Sequence, residues 1–407
     1  MTNLPQGWEV KKLGEIGEIV TGSTPSKSNL DFYGKDYPFF KPSDFEQGYF
    51  LENAGDNLSK LGFDKARQLP PKTILVVCIG SLGKVALTRV IGSCNQQINA
   101  IIPHKNIIAE YIYYYCISSK FQSILFSKAP QTTLAILNKT EFSKLEIIYP
   151  KDIKEQERIV GILDESFAKI DESIKILEQD LLNLDELMQS ALQKAFNPLK
   201  DNAKENYKLP QGWEWKSLGE IANTSSGGTP SRNKKEYWEN GNIKWLKSGE
   251  LNDGYIDFIE ENITEEAIKN SSAKIFQKGT LLIAMYGATA GKLGILNLDS
   301  TTNQAICAFL HKDKNIKFLE KFLFYFLFFL RDKIIKDSFG GAQPNINQTY
   351  IKNLQIPLPP IKEQEQIASH LDELSSHVKN LKQNYQAQIK DLQELKNSLL
   401  DKAFKGN

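Results

Sequence analysis

The chain is short of the residues that usually announce a chemistry. Its four cysteines, Cys78, Cys94, Cys116 and Cys307, are irregularly spaced and include no C-x-x-C pair. That excludes a disulfide framework and the common zinc and thiol-redox motifs, and predicts reduced, buried thiols. The four histidines, His104, His311, His370 and His377, are equally sparse. His370 and His377 stand almost two helical turns apart, beyond the i, i+4 geometry of zinc-binding helices, and are expected to be solvated. Charge of one sign is missing too: 50 basic against 49 acidic residues leave +1, which excludes a uniformly basic coat but not a local basic face. The longest apolar run, residues 322–330, is far below the roughly 20 residues needed to cross a bilayer and reads as helix core. The opening MTNLPQGW has neither the basic nor the apolar region of a signal peptide, so a cytoplasmic protein without a membrane partner is expected.

What is present is repetition. A chain of 407 residues with 41% hydrophobic and 24% charged side chains has room for two or three folded domains. Leu4-Pro5-Gln6-Gly7-Trp8-Glu9 returns unchanged 205 positions later as Leu209-Pro210-Gln211-Gly212-Trp213-Glu214. Leu13-Gly14-Glu15 and Thr24-Pro25 recur at that offset. Asn95-Gln96 and Ile153-Lys154-Glu155-Gln156-Glu157 recur 208 positions later, at Asn303-Gln304 and Ile361-Lys362-Glu363-Gln364-Glu365. The chain is one unit written twice.

Each copy opens with a mixed segment, residues 1–150 and 208–358. Apolar β-branched runs at 73–79 and 280–286 between Gly, Ser and Pro predict strands, and aromatic-rich stretches at 110–126 and 317–335 predict one helix each. The fold class is therefore α/β or α+β, duplicated. A helical segment follows in each copy, 151–197 and 359–407, with 198–207 as the linker to the second copy. Prolines mark both helix starts. Leu163, Ile170, Leu177, Leu184 and Ala191 lie seven apart, as do Leu371, Val378, Tyr385, Leu392 and Leu399. In the second helix Leu374, Leu381 and Leu395 follow three residues behind, so a coiled coil is expected. The first helix joins the two globular heads, so the second returns along it only if antiparallel. A strut with a pseudo-twofold axis and one head at each end is the arrangement this connectivity predicts.

Segment sums resolve the bulk charge. Residues 1–150 hold 16 basic and 13 acidic side chains (+3), 207–358 hold 19 and 16 (+3), 151–206 hold 8 and 13 (−5), and 359–407 hold 7 of each. The heads are the expected meeting place for a polyanion, and the helices for protein partners. Catalytic motifs are missing. Gly287-Ala288-Thr289-Ala290-Gly291-Lys292-Leu293 is one residue short of a phosphate loop and lacks the hydroxyl that holds magnesium. Gly80-Ser81-Leu82-Gly83-Lys84 is shorter still, so both read as glycine-cornered turns presenting a lysine. There is no G-x-G-x-x-G dinucleotide motif. Asn197-Pro198-Leu199 is not the Asn-Pro-Pro-aromatic signature of amino-methyltransferases.

Head, helix, head and helix in this order, with paired Leu-Pro-x-Gly-Trp openings, Thr-Pro loops at 22–25 and 228–230 and Pro…Ile-Lys-Glu-Gln-Glu helix starts, resemble the specificity (S) subunit of type I restriction-modification systems. The resemblance spans nearly the whole chain. It implies that each head is a DNA target-recognition domain and that the helices are a spacer that docks methyltransferase (M) subunits, two of them. It also implies a non-catalytic chain without its own cofactor: M subunits would bind S-adenosylmethionine, and restriction (R) subunits would use ATP and Mg. Copy one has Ala129-Pro130-Gln131-Thr132-Thr133 where copy two has Gly341-Ala342-Gln343-Pro344-Asn345, so the heads should read different sequences. Base reading needs paired donors and acceptors, and phosphate positioning needs cations and hydroxyls. The candidates for contact with double-stranded DNA are Ser26, Lys27, Lys41, Ser43, Arg67, Lys84, Arg89, Asn95, Gln96 and Gln131 in head one. In head two they are Ser231, Arg232, Lys234, Lys247, Ser248, Lys292, Asn303, Gln304, Gln343 and Asn345. Trp8 and Trp213 read as core anchors. A self-contained methyltransferase and a coiled-coil scaffold without DNA are the competing readings.

Overall fold

The computed structural model describes residues 4–129, 135–196, 209–312, 318–338 and 346–404. The chain divides into two compact units, Met1–Glu178 with Tyr385–Asn407, and Gln179–Asn384. Both units take part of each long helix, so the division falls within the helices rather than between head and helix.

The strands of the first unit are β1 (Trp8–Lys12), β2 (Gly17–Thr21), β3 (Tyr33–Phe40), β4 (Phe50–Leu51), β5 (Asn57–Leu58), β6 (Ile74–Val77), β7 (Val85–Thr88), β8 (Ser93–Cys94), β9 (Ile98–Pro103) and β10 (Glu146–Pro150). The main sheet has the order β2-β9-β6-β7-β4, and a smaller sheet the order β5-β3-β8. The central strand β6 is apolar at every position because both of its faces are covered. Ile74 and Val76, with Cys78 just beyond, point into a core with the aromatic helix and the long-helix ends. Leu75 and Val77 point into a second core with Phe40, Phe45, Leu51 and Cys94. This period of two across a buried strand makes the run look unpatterned in sequence. Antiparallel β1 and β10 pair Trp8 with Pro150, so the opening of the chain is fastened beside the start of the first long helix.

The second unit repeats the plan with β11 (Glu214–Ser217), β12 (Ala222–Ser226), β13 (Ile243–Leu246), β14 (Gly254–Ile256), β15 (Asn262–Ile263), β16 (Ile275–Phe276), β17 (Leu281–Ala284), β18 (Leu293–Leu296), β19 (Ser300–Thr302), β20 (Ile306–His311) and β21 (Gln355–Leu358). Its main sheet runs β12-β20-β17-β18-β14, its smaller sheet β15-β13-β19-β16, and β11 pairs with β21. Leu281 and Ile283 share one core with Phe322 and Phe326, while Leu282 and Ala284 share the other with Leu246 and Ile256. All four cysteines are free and buried, and burial pushes the thiols of Cys78, Cys94 and Cys307 up to about 12.

The aromatic helix of head one departs from expectation. Residues 110–126 form two helices, Ala109–Ile117 and Ser119–Lys128, because Ser118 takes an extended backbone and its Oγ accepts from the Phe121 N–H as an N-cap. Head two keeps one helix, Glu320–Lys336.

The long helices are Ile153–Phe196 and Ile361–Ala403, and in each unit they run antiparallel. In the first unit Lys396 pairs with Asp171 at 2.7 Å, while Leu163 and Phe167 share a core with Leu400 and Phe404. In the second Lys382 pairs with Asp185, while Leu192 and Phe196 share a core with Ala368 and Leu371. The seam on the first helix follows the heptads. On the second it differs: Leu381 and Leu395 are 39% and 46% exposed, and Lys382 and Lys396 stand beside the seam instead. A lysine stem can line an apolar seam while its ammonium reaches a partner carboxylate. Among the described residues no helix is long and apolar enough to cross a membrane.

Candidate nucleic-acid interface

In each head one end of the main sheet gathers the loops that hold most of the candidates. In head one this end is formed by the last residues of β2 and β6 and the first of β7 and β9. The parallel pair β3 and β8 finishes here too, with Phe40 opposite Cys94, which sets Lys41 and Asn95 beside one another. Head two does the same with β13 and β19, where Leu246 and Thr302 precede Lys247 and Asn303. The Asn95 N–H donates to Phe40 O at 3.1 Å, and the Asn303 N–H to Leu246 O at 2.9 Å.

The Thr-Pro loop crosses this end at close range. A Cβ on Gly22 would lie 2.1 Å from Asn95 O, and one on Gly227 2.0 Å from Thr302 O, so only glycine admits the approach. The approach brings together two motifs that are about 70 residues apart in sequence. Thr24 Oγ1 donates to Gln96 Oε1 at 2.5 Å, and Thr229 Oγ1 donates to Gln304 Oε1. Lys27 follows in the same loop, exposed, and Ser26 Oγ lies 2.7 Å from Ser28 Oγ. The Arg67 side chain donates to Thr21 O and its N–H to Ser23 Oγ, which ties a third loop to the site.

Cations at this end are set by carboxylates. Lys41 pairs with Asp56, and Lys247 pairs with Glu261 at 2.7 Å. The Glu261 hydrogen bond holds the Lys247 ammonium above its ordinary value against burial. Burial alone would raise Glu261, but hydrogen bonds from Arg232 and Lys247 hold its carboxyl below the usual range. Arg232 pairs with Glu261 at 2.6 Å and stacks on Trp238 and Trp245, its guanidinium carbon 3.7 and 4.8 Å from the ring centroids. Its side chain is still 51% exposed. Lys234 lies 3.0 Å from Tyr237 Oη. Ser43 and Ser248 belong to the short 3-10 helices that follow Lys41 and Lys247. Lys84 and Lys292 stand where β7 and β18 begin, after turns with left-handed Gly80 and Gly83 or Gly287 and Gly291. Lys84 pairs with Glu46.

Two candidates are placed differently. Arg89 follows β7 and so lies at the opposite end of the sheet, paired with Glu52 at 3.0 Å and stacked on Phe50. Asn95 is 8% exposed, and its amide is engaged inward: Oδ1 accepts from the Gln97 N–H and Nδ2 donates to Gln97 Oε1. Asn303 Oδ1 likewise accepts from the Ala305 N–H at 3.2 Å. Gln131, Gln343 and Asn345 lie outside the described residues. Sequence reasoning passed over Asp56, Glu261 and Lys274. Asp56 and Glu261 stand 205 positions apart, the offset of the opening repeat, and that was the available signal. Lys274 Nζ donates to Ser225 Oγ at 3.2 Å, on the loop of head two that matches that of Arg67. Among the described residues no cluster of His, Cys, Asp or Glu suits a metal ion.

Known proteins share this arrangement. The family model for the type I restriction modification DNA specificity domain matches residues 5–181 and 210–391. The type I restriction enzyme MjaIX specificity subunit of Methanocaldococcus jannaschii is 26% identical over 417 residues, covering 99% of this chain and 94% of that protein. The HindI specificity subunit of Haemophilus influenzae is 38% identical over 186 residues, 44% of this chain and 40% of the relative. A chain solved for complex assembly and conformational transition of the type I R-M system superposes with a TM-score of 0.81 at 21% identity, over 99% of both chains. The HsdS subunit of Thermoanaerobacter tengcongensis superposes with a TM-score of 0.62 at 21% identity, over 99% of this chain and 98% of that one. At these identities the structures speak to the fold.

Proposed function

The chain belongs to the family of type I restriction modification DNA specificity domains, and from that premise we propose that it is the DNA-specificity subunit of a type I restriction-modification complex. Each head reads one half of an asymmetric bipartite site. The observation that carries this reading is the duplicated loop cluster: the same Thr-Gln contact and the same lysine-carboxylate pair stand at the same end of the same sheet in both heads. Such a sheet end offers a rim of donors, the equipment needed to meet DNA phosphates and base edges.

The long helices set the gap between half-sites and dock two methyltransferase subunits. The chain itself does no chemistry: S-adenosylmethionine binds in those subunits, and ATP and Mg in restriction subunits. The complex works in the cytoplasm. The decisive experiment exchanges residues 1–150 for the corresponding head of a relative and maps methylated sites with the partner subunits present. One half-site should change and the other persist; a change in both halves would overturn independent reading.

A further inference from the structure

The two heads differ in what they read, if the function above holds, and this inference rests on that reading. A device present in both heads in one geometry then carries no information about which half-site is bound. Thr24 with Gln96 and Thr229 with Gln304 are such a device. Shared in position, though not in its surroundings, is the cation two residues after the common proline, Lys27 in one head and Arg232 in the other, both exposed.

The chemistry of the shared device is that of donors. To read adenine, a glutamine uses its amide oxygen and nitrogen together. Here the threonine hydroxyl engages the oxygen of Gln96 and of Gln304, both exposed, and leaves each NH2 group without a hydrogen-bond partner among the described residues. A free NH2 on an amide bonded to a loop that carries a cation three residues after the threonine suits an oxygen that only accepts, and phosphodiester oxygens only accept. The Arg232 guanidinium is further fixed by two indole rings and Glu261, so little side-chain freedom is left to lose on binding.

We propose that Thr24, Gln96 and Lys27, and in the other head Thr229, Gln304 and Arg232, are two copies of one phosphodiester anchor. It grips the DNA backbone at each half-site and does not read it. Discrimination falls to positions the heads do not share, such as Ser43, two residues after Lys41, where head two has Gly249 two residues after Lys247.

The test uses the full chain assembled with its methyltransferase subunits, and duplexes carrying the matched site or single changes in either half. Gln96→Ala and Gln304→Ala should each weaken binding about fivefold, to matched and mismatched duplexes alike. Gln96→Glu should weaken it more, because a carboxylate that still accepts from Thr24 would then face phosphate. Lys27→Ala removes a side chain with no partner among the described residues, so it probes the anchor without disturbing the fold. It and Arg232→Ala should each make the negative slope of log affinity against log salt shallower by about 0.9. An altered base preference in any variant, or unchanged affinity and salt slope, overturns the anchor. A wild-type complex that fails to tell matched from mismatched duplexes would instead overturn the function on which it rests.

Discussion

Phe404 is 2% exposed and meets Tyr111 and Tyr115 edge-on, with centroids 5.3 and 5.2 Å apart. It stands almost 300 residues from both rings, yet it completes their core. Phe404→Ala should destabilise the first unit by about 3–5 kcal/mol, the usual cost of emptying a buried aromatic site. Leu395, on the long helix that ends just before Phe404 and in its heptad pattern, is 46% exposed, and Leu395→Ala should change stability by less than about 0.5 kcal/mol. Thermal melts of the two variants check the contrast; equal losses would refute the seam described here. Lys396 is the intermediate case. Its pair with Asp171 is half exposed, so solvent screening limits its contribution to about 1 kcal/mol or less.

At the scale of elements, each head is bound to the nearby stretch of a long helix by hydrogen bonds as well as apolar packing. The Tyr114 hydroxyl donates to Asp164, and Tyr325 and Lys321 both donate to Asp372. Burial first, and then these carboxylates, push both tyrosine hydroxyls well above their ordinary value. The first unit also needs the end of the second helix, through Leu400 and Phe404. Deleting residues 385–407 should therefore open head one. Hydrogen exchange should show faster exchange in residues 109–128 and unchanged protection at 281–296. Uniform protection in both heads would mean that head one holds its core unaided.

For the whole molecule, the spacer function makes a metric prediction. One heptad added to both long helices lengthens each by about 10 Å, which is close to the rise of three base pairs. The recognised gap should grow by about three base pairs with both half-sites intact, as methylation mapping would show. A gap of unchanged length would remove the helices from the role of spacer.

How much of this was legible beforehand depends on whether the cause was local. Repetition, the buried strands, the helix starts at proline and the heptads are carried by neighbouring residues, so the sequence by itself determined a duplicated α/β protein with two long helices. The resemblance carried by those motifs extended that to DNA. Three things were decided only by the tertiary structure. The break at Ser118 rests on one hydroxyl capping a helix end, in a stretch whose aromatic pattern is continuous. The exposure of Leu381 and Leu395 follows from which face of the second helix meets its antiparallel partner, and a heptad alone does not choose that face. The site likewise awaited folding: Thr24 and Gln96 are 72 residues apart, and they meet because two parallel strands end side by side and Gly22 lets a loop cross over them.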